Sequence, residues 1–297
     1  MRSDDPIEKN EFCIQGRMAP SIFVVGIQKC GTTTIDGILS QFPQLSHGTT
    51  KEHHFFDHSY KSYDDYLKEF PKCNKKIVQS FDSTPNYTNP LSNSPENISR
   101  YSSHFRIHSK KLVFIVIVCP NSRRVPSAFY HEKAMKAKHH EKFLGVYNST
   151  TRLNDWFDKT LDLNFQKTSD QIDNLFDDSL TILRRGYYDL IFDKYFKLFP
   201  DSTFLIIDSE YAFIEMQKLG NFLAKELNLP QQMIKYIHKN SHDVKGNNEL
   251  VEELTVYNLK RLKELYSIHD IRFKEAININ GNVKTFPADN YDNNNKR

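Results

Sequence analysis

The sequence predicts a single α/β domain whose central, mainly parallel β-sheet is flanked by helices. Three apolar runs of strand length lie at residues 22–25, 112–118 and 204–207, and none alternates with polar residues. Continuous apolar runs of this kind are typical of strands that are covered on both faces. Helical stretches with one apolar face lie between them, and strands that alternate with helices favour a parallel sheet.

The first strand leads into a helix through a short loop that contains glycine. Residues 22–25 end at Gly26, and a second glycine, Gly31, precedes the helix. The helix has an apolar face formed by Ile35, Ile38, Leu39 and Phe42. In such a strand–loop–helix unit, the loop amides and the helix N-terminus form a site for a phosphate group. Lys29 adds a positive charge, and the threonines after Gly31 add hydroxyl groups.

The later elements follow the same alternation. A weaker strand is predicted over residues 76–81, and helices are predicted near 187–198, 216–223 and 250–265. The polar residues 89–103 are interpreted as a loop within the domain. We expect residues 1–20 to be a flexible N-terminal segment and residues 284–297 to be a flexible tail. The folded domain is therefore predicted to span 21–283.

Composition and charge exclude several function classes. The chain has 297 residues and a formal net charge of +3, which does not favour nucleic-acid binding. No apolar run is long enough to cross a bilayer, and residues 1–20 lack the apolar core of a secretion signal. We therefore expect a soluble chain without an export signal.

Four cysteines are too few for a disulfide scaffold. We interpret Cys30, in the loop after the first strand, and Cys119, at the end of a buried strand, as free thiols. Cys13 and Cys73 would pair only in an oxidising compartment, and the sequence leaves that open.

The loop after the first strand departs from the common nucleoside-triphosphate loop. That loop needs a glycine, four residues and then Gly-Lys-Ser/Thr, whereas Lys29 here precedes the second glycine, Gly31. A lysine at this position lies at the edge of the phosphate from which a leaving group departs. The pattern resembles the 5′-phosphosulfate loop of sulfotransferases that use 3′-phosphoadenosine 5′-phosphosulfate (PAPS). The spacing is most similar to the heparan sulfate 3-O- and N-sulfotransferases and related bacterial enzymes.

Two further segments resemble the same family. Residues Lys51–Asp57 match the Lys-Glu-Pro-His-Phe-Phe-Asp segment of the heparan sulfate group, except that His53 replaces the proline. Residues Phe81–Tyr87 are similar to the family's acidic-x-Ser/Thr-Pro-x-Tyr segment, which lines the acceptor cleft. Ser83 lies where the 3-O enzymes have a lysine, and this difference weakens the similarity to a heparan-type acceptor site.

The segment after the central strand also resembles the family, with two departures. Arg124 and Ser127 match the family's Arg-x-x-Ser pair, which binds the 3′-phosphate of PAPS at the start of a helix. Residues 118–120 replace the family's Arg-Asp-Pro, and the following interval is one residue longer, so Arg123 is the alternative phosphate ligand. Residues 184–208 follow the family's order of Gly-x-Tyr, helix, Phe-Pro and apolar strand.

The resemblance implies a PAPS-dependent sulfotransferase with a P-loop-like fold and adenosine 3′,5′-bisphosphate (PAP) as its product. It assigns Glu52 as the base that deprotonates the acceptor, Lys29 as the group that stabilises the leaving phosphate, and His54 as a third catalytic residue. The implied nucleotide-binding residues are Lys29, Cys30, Gly31, Thr32, Thr33, Thr34, Arg124, Ser127, Lys245 and Gly246. The implied acceptor-binding residues are Lys51, His53, Asp82 and Tyr87.

The implied acceptor is a glycan or a small molecule with a hydroxyl group, or alternatively an amine. No metal is expected, because Lys29 supplies the charge that magnesium supplies in kinases. A zinc site is the alternative interpretation of the histidine cluster at His47, His53, His54 and His58, with Asp57 beside it. For the whole chain, the alternatives are a P-loop kinase that uses ATP and a non-catalytic binding protein with the same fold. The family's glycan enzymes reside in the Golgi lumen, so the expected location is the cytoplasm or that lumen.

Overall fold

A six-stranded parallel β-sheet is the centre of the fold. The computed structural model describes residues 10–58, 62–139, 151–166, 178–235 and 252–288. The strands in these ranges are β1 (Cys13–Ile14), β2 (Arg17–Met18), β3 (Pro20–Gly26), β4 (Leu45–Ser46), β5 (Gln79–Asp82), β6 (Val113–Val118), β7 (Thr203–Asp208) and β8 (Val283–Phe286). Strands β1 and β2 form an antiparallel hairpin, and the order across the large sheet is β4-β5-β3-β6-β7-β8 with every neighbouring pair parallel.

Helices follow most of these strands, as expected for parallel strands that need crossover connections. The helices in the described ranges are α1 (Thr32–Leu39), α2 (Tyr63–Lys68), α3 (Ser94–His104), α4 (Asn121–His139), α5 (Leu153–Gln166), α6 (Asp178–Arg184), α7 (Tyr188–Leu198), α8 (Ser209–Ala212), α9 (Met216–Glu226) and α10 (Val256–Ile279). Two short 3₁₀ helices span Pro85–Thr88 and Ser109–Lys111. In the part of the chain that the structure describes, no helix combines the length and the apolarity that crossing a membrane requires.

The two central strands are buried along their whole length, which explains their sequence. Every residue of β3 and of β6 is buried, because helices cover both faces of the sheet. The predicted α/β class, the parallel sheet and the three apolar strands are therefore confirmed. A second apolar cluster lies among α4, α5, α6 and α10, around the buried ring of Trp156. This cluster fixes helix α4, which begins three residues after strand β6 ends.

The strand order places three loop segments at one point of the sheet. Strand β3 lies between β5 and β6, and the chain crosses from one side of β3 to the other between these two neighbours. The carboxyl ends of the three strands are Gly26, Asp82 and Val118. Ligands in open α/β sheets bind at such a reversal of strand order, outside the carboxyl ends. The segments at these three strand ends are the loop that contains Lys29, the Phe81–Tyr87 segment and the start of helix α4, for which the sequence predicts functional roles.

The structure corrects the expected N-terminal boundary of the folded domain. Within the segment that we expected to be flexible, Phe12, Met18 and Ala19 are buried, and Cys13 forms a disulfide with Cys73. Each strand of the hairpin has two residues, which are too few for an alternation of apolar and polar residues that predicts a strand. The disulfide adds a constraint that local sequence does not show.

The C-terminal boundary and one loop also differ from the prediction. Strand β8 lies largely within the expected tail, where it pairs with β7 and buries Phe286 against Tyr211 and Phe222. The expected loop at 89–103 contains most of helix α3, which has a proline in its first turn and buries Ile98 and Tyr101. In both cases a few buried side chains decide the structure of a segment with a polar composition.

We predict that Phe286→Ala destabilises the protein, because the ring fills space between strand β8 and helices α8 and α9. The expected decrease in the free energy of unfolding is about 3 kcal/mol, the usual size for removal of a buried phenylalanine ring. Urea denaturation measures it. Lys284→Ala, at an exposed side chain of the same strand, is the control, with an expected change within about 0.5 kcal/mol. Equal effects of the two substitutions would show that the Phe286 ring does not pack against Tyr211 and Phe222.

Candidate active site

The segment from the last residue of β3 to the first turn of α1, residues 26–33, is called the phosphate loop below. It bends sharply, because Lys29 has φ 70° and Gly31 has φ 108°. Position 31 also needs glycine for lack of space, since a Cβ atom there would lie 2.1 Å from the ring of Phe213. Gly31 O accepts the first helical hydrogen bonds from Thr34 N and Ile35 N. Helix geometry therefore leaves the amides of residues 31–33 without an intrahelical acceptor, as an anion site requires.

The expectation that Cys30 and Cys119 are free thiols is wrong. The two form a disulfide that joins the phosphate loop to the residue after strand β6. The parallel pairing of β3 with β6 brings them together, and Ile27 N donates a hydrogen bond to Ile117 O beside the disulfide. The described residues contain no free cysteine. Cys30 therefore holds the loop covalently in addition to contributing its backbone.

Lys29 lies in the phosphate loop among other charged groups. Burial lowers the pKa of Lys29, and the positive charge of Lys51 lowers it further. The negative charges of Glu132 and Glu52 oppose this effect. Lys29 and Glu52 are thus close enough to influence each other, as the predicted site requires.

Lys51 connects the phosphate loop to Glu52. Its Nζ donates to Thr33 Oγ1 at 3.1 Å and to Glu52 Oε1 at 2.6 Å. The other oxygen, Glu52 Oε2, lies 3.4 Å from His54 Nε2. Burial favours protonation of Glu52, but the hydrogen bonds from His54 and Lys51 outweigh it and hold its pKa below the usual value. Glu52 is therefore a carboxylate at neutral pH.

His54 lies between two carboxylates. Its Nδ1 donates to Asp57 Oδ2 at 2.9 Å, and its Nε2 faces Glu52. These hydrogen bonds, Asp57 first, raise the pKa of His54 to about 10 despite its partial burial. His54 is therefore a cation near neutral pH. His58 completes a His–Asp–His group whose ligand atoms lie within 4.8 Å of one another. Zinc binding through His54 would require it to lose a proton, because a metal binds the neutral imidazole.

Asp57 is linked back to the phosphate loop by two more side chains. Its Oδ2 also accepts a hydrogen bond from Asn86 Nδ2. Arg185 donates through Nη2 to Asn86 Oδ1 and through Nη1 to Gln28 Oε1. Since Gln28 and Thr33 both belong to the phosphate loop, these contacts form a closed circuit. We call it the polar ring: Gln28, Thr33, Lys51, Glu52, His54, Asp57, Asn86 and Arg185.

The last residue of strand β5, Asp82, and the residues after it hold the chain segment that contains Glu52 in place. Asp82 is fully buried and accepts hydrogen bonds from the hydroxyls of Tyr66, Tyr87 and Thr84, at 2.7, 2.7 and 2.6 Å. Burial raises the pKa of Asp82, and these donors oppose the rise. Thr84 Oγ1 then accepts from His53 N at 3.0 Å. Asp82 and Tyr87, predicted to bind the acceptor, thus use their polar atoms within the protein.

His53, another predicted acceptor-binding residue, is also held by contacts within the protein. Its Nε2 is 2.8 Å from His47 O, and its ring packs against Phe70 with a centroid distance of 4.7 Å. Lys51 is the predicted acceptor-binding residue whose charged group lies beside Glu52.

The predicted 3′-phosphate ligands lie at the start of helix α4. Arg124 is 0% exposed, and its Nε donates to Asn121 Oδ1 at 2.7 Å. Its Nη2 lies 3.4 Å from the hydroxyl of Tyr266, while Nη1 has no hydrogen-bond partner among the described residues. Ser127 is half-buried and Arg123 is exposed. Lys245 and Gly246 lie outside the described residues.

Sequence reasoning did not assign four members of the polar ring to the transfer site: Gln28, Asp57, Asn86 and Arg185. Asp57 belongs to the Lys51–Asp57 segment, so its position in that segment could have suggested a role. Arg185 lies 99 residues from Asn86 and 157 residues from Gln28, and no local pattern connects residues so far apart.

Comparison with known proteins identifies the family. The chain matches the family model of the sulfotransferase domain over residues 19–265. The chain belongs to the sulfotransferase family. The crystal structure of a sulfotransferase from Alicyclobacillus acidocaldarius is similar, with a TM-score of 0.63 at 15% sequence identity. The match covers 87% of this chain and 96% of that one, and at this identity it shows the fold alone. No curated protein sequence matches the chain.

Family membership confirms the predicted activity class and the predicted fold, but it does not test the predicted similarity to the heparan sulfate enzymes. The protein is a sulfotransferase, and its sheet and helices form the sulfotransferase fold. The special similarity to the heparan sulfate enzymes stays a prediction. The polar ring therefore lies in a sulfotransferase domain, between the phosphate loop and the segment that contains Glu52.

We predict a pH-dependent effect of His54→Gln on stability. The pKa of His54 is raised to about 10, so its stabilising contribution is fully present below about pH 6.5 and is lost as pH rises through 10. The destabilisation by His54→Gln should therefore be largest near pH 6 and should shrink toward pH 10. Its size is reduced by solvent screening, because the side chain is 41% exposed.

Urea denaturation of both proteins between pH 6 and pH 10 tests this dependence. His108→Gln, on the exposed surface, is the control and should show a difference that does not vary with pH in this way. A constant difference between wild type and His54→Gln would contradict a cationic His54 held by Asp57 and Glu52.

Proposed function

We propose that the protein transfers the sulfuryl group of PAPS to an acceptor hydroxyl at the polar ring. The observation that supports this most is the contact of Lys51 with both Thr33 and Glu52. It places a carboxylate next to a loop with the geometry of an anion site. Such an arrangement brings a base and an activated anionic donor together, which is what sulfuryl transfer to a hydroxyl requires.

In the proposed reaction, the acceptor oxygen attacks the sulfur of PAPS in line with the bridging oxygen. A bond from the acceptor oxygen to sulfur forms, and the bond from sulfur to the bridging phosphate oxygen breaks. Glu52 takes the acceptor proton, and PAP leaves with the bonding electron pair. Lys29, at the near edge of the loop, stabilises the negative charge that develops on the bridging and phosphate oxygens.

His54 and Lys51 position the base. Each faces one oxygen of Glu52, so the carboxylate is held between two cations. His54 is in turn fixed by Asp57. In the proposed mechanism the positive charge of His54 remains near the reaction throughout, because its raised pKa keeps it protonated at neutral pH. These residues supply the charge around the sulfuryl group, so no step requires a metal.

The nucleotide half of the donor is assigned to two helix N-termini. The amides of residues 31–33 and the hydroxyls of Thr32, Thr33 and Thr34 bind the 5′-phosphate, and Cys30 lies beside it in the loop. Arg124 and Ser127 bind the 3′-phosphate, and the unpartnered Nη1 of Arg124 supports this assignment. Arg123, exposed beside it, is the alternative ligand. Lys245 and Gly246 are proposed to contact the nucleotide as well.

The acceptor side is proposed to have one direct contact and three supporting residues. Lys51 contacts the acceptor or the sulfuryl oxygens, because its ammonium group lies at Glu52. His53, Asp82 and Tyr87 act by holding the segment that contains Glu52, since their polar atoms are engaged within the protein. The acceptor is a glycan or a small molecule with a hydroxyl, and an amine is the alternative nucleophile.

Nucleotide specificity tests the proposal first. We predict that PAP raises the melting temperature of the wild-type protein more than ATP with magnesium does, because the loop lacks the lysine position of nucleoside-triphosphate loops. Adenosine 5′-monophosphate, which lacks the 3′-phosphate, should give a smaller shift than PAP. A larger shift with ATP and magnesium would favour the kinase alternative instead.

The variants Arg124→Gln and Arg123→Gln form a matched pair in the same assay. If Arg124 holds the 3′-phosphate, Arg124→Gln abolishes the difference between PAP and adenosine 5′-monophosphate, whereas Arg123→Gln keeps it. The opposite result would assign the 3′-phosphate to Arg123. Far-UV circular dichroism verifies that each variant is folded before the nucleotides are compared.

We predict that Lys29→Ala and Glu52→Gln each lower turnover at least about a hundredfold, since each removes a group needed in the transition state. Transfer of labelled sulfate from PAPS to an acceptor library, detected by mass spectrometry, measures this. Lys68→Ala and Glu264→Gln, at exposed side chains, are the controls and should retain activity. Near-normal turnover in Lys29→Ala or Glu52→Gln would remove the role assigned to that residue. Lack of transfer by folded wild type to every acceptor would favour the non-catalytic alternative.

A further inference from the structure

The Cys30–Cys119 disulfide lies inside the site at which the donor is proposed to bind. We infer that it is a positioning element for the phosphate loop, so that the protein binds its nucleotide tightly only while this disulfide is intact. The inference rests on the proposed function, because it concerns the same nucleotide. It adds a redox requirement that neither the family match nor the proposed mechanism contains.

The position of the disulfide in the chain supports this role. Cys30 lies between Lys29 and Gly31, the two loop residues with positive φ. Glycine adopts such a conformation freely, but at Lys29 it persists only where the surroundings fix it. The chain provides a hydrogen bond from Ile27 N to Ile117 O on one side of the turn and the covalent link to Cys119 at the turn itself.

The other end of the link is itself fixed. Cys119 O accepts a hydrogen bond from the hydroxyl of Tyr188 at 3.1 Å, and Tyr188 is a buried residue of helix α7. The disulfide therefore connects the phosphate loop to the end of β6 and, through Tyr188, to α7. Without it, the hydrogen bond from Ile27 N to Ile117 O would hold the turn on one side only, and the backbone preferences of Lys29 disfavour the conformation that it has. Reduction is therefore expected to weaken nucleotide binding by loosening the turn that contains Lys29 and precedes the amides of residues 31–33.

Linkage gives a second consequence that can be measured separately. If reduction weakens PAP binding by some factor, bound PAP must make reduction less favourable by the same factor. The reaction is ordinary exchange with a dithiol: dithiothreitol is oxidised to its cyclic disulfide, and Cys30 and Cys119 become two thiols. Both sulfur-bearing residues are buried, at 3% and 6% exposure, so reduction is expected to be slow in the folded protein.

The second disulfide, Cys13–Cys73, is a matched control within the same chain. The two disulfides span 60 and 89 residues, so their removal loosens the unfolded chain to a similar extent. Cys13–Cys73 joins the N-terminal hairpin to the segment before β5, and among the described residues no hydrogen bond joins either cysteine to a member of the polar ring. A difference between the two double variants therefore reports the local role of Cys30–Cys119.

Calorimetric titration with PAP tests the inference on oxidised wild type, Cys30→Ala/Cys119→Ala and Cys13→Ala/Cys73→Ala. We expect the first double variant to bind PAP at least tenfold more weakly than wild type and the second to bind within twofold of wild type. A loss of less than tenfold in Cys30→Ala/Cys119→Ala, or an equal loss in both, overturns the inference while leaving the proposed function intact. Failure of oxidised wild type to bind PAP overturns the proposed function and the inference with it.

A redox titration covers the case in which Cys30→Ala/Cys119→Ala does not fold. Cys13→Ala/Cys73→Ala retains only the disulfide of interest, so dithiothreitol redox buffers titrate that disulfide alone. With saturating PAP, the ratio of reduced to oxidised dithiothreitol at the midpoint should rise at least tenfold. An unchanged midpoint, measured by thiol labelling of the same protein, overturns the inference whatever the behaviour of the alanine variants.

Discussion

The site depends on Asp57, a carboxylate that is 1% exposed and has to be neutralised where it lies. A buried charge without partners is strongly unfavourable, so its neighbours are required for the fold as well as for the chemistry. His54 and Asn86 supply hydrogen bonds to the same oxygen, and Arg185 supplies the positive charge behind Asn86. Because Arg185 also reaches Gln28, neutralising Asp57 fixes the phosphate loop relative to the segment that contains Glu52.

The sequence was sufficient for what local chemistry decides. The apolar run of β3, the glycine at its end and the helical face of α1 are each contained within a few residues, and together they predict the phosphate loop. The meeting of three loops could be predicted as well, because the carboxyl ends of parallel strands lie at one edge. The contacts between those loops could not be predicted from the sequence. Cys30 and Cys119 become neighbours only through the register of β3 on β6, and the sequence of neither strand determines that register.

The departures from the family pattern have local explanations in the structure. Histidine at position 53 brings an N–H group that a proline would lack, and Thr84 Oγ1 accepts a hydrogen bond from it. Asp82 accepts a hydrogen bond from that hydroxyl and so orients it toward His53 N. Ser83, at the position where the resemblance to the heparan sulfate 3-O-sulfotransferases would place a lysine, is fully buried. Position 83 therefore supplies no cation, and Lys51 and His54 are the cations that face Glu52.

The arrangement of charge explains how Glu52 could be both a stable carboxylate and an effective base. Before the donor binds, Lys51 and His54 hold the pKa of Glu52 below its usual value, which keeps it ready to accept a proton but makes it a weak base. Lys51 also faces the phosphate loop through Thr33, so the oxygens of an anion in the loop compete with Glu52 for the same ammonium group. In the proposed mechanism, donor binding draws Lys51 toward the loop and raises the proton affinity of Glu52. The base is then strengthened only when a sulfuryl group is in place, which couples deprotonation of the acceptor to the presence of the donor.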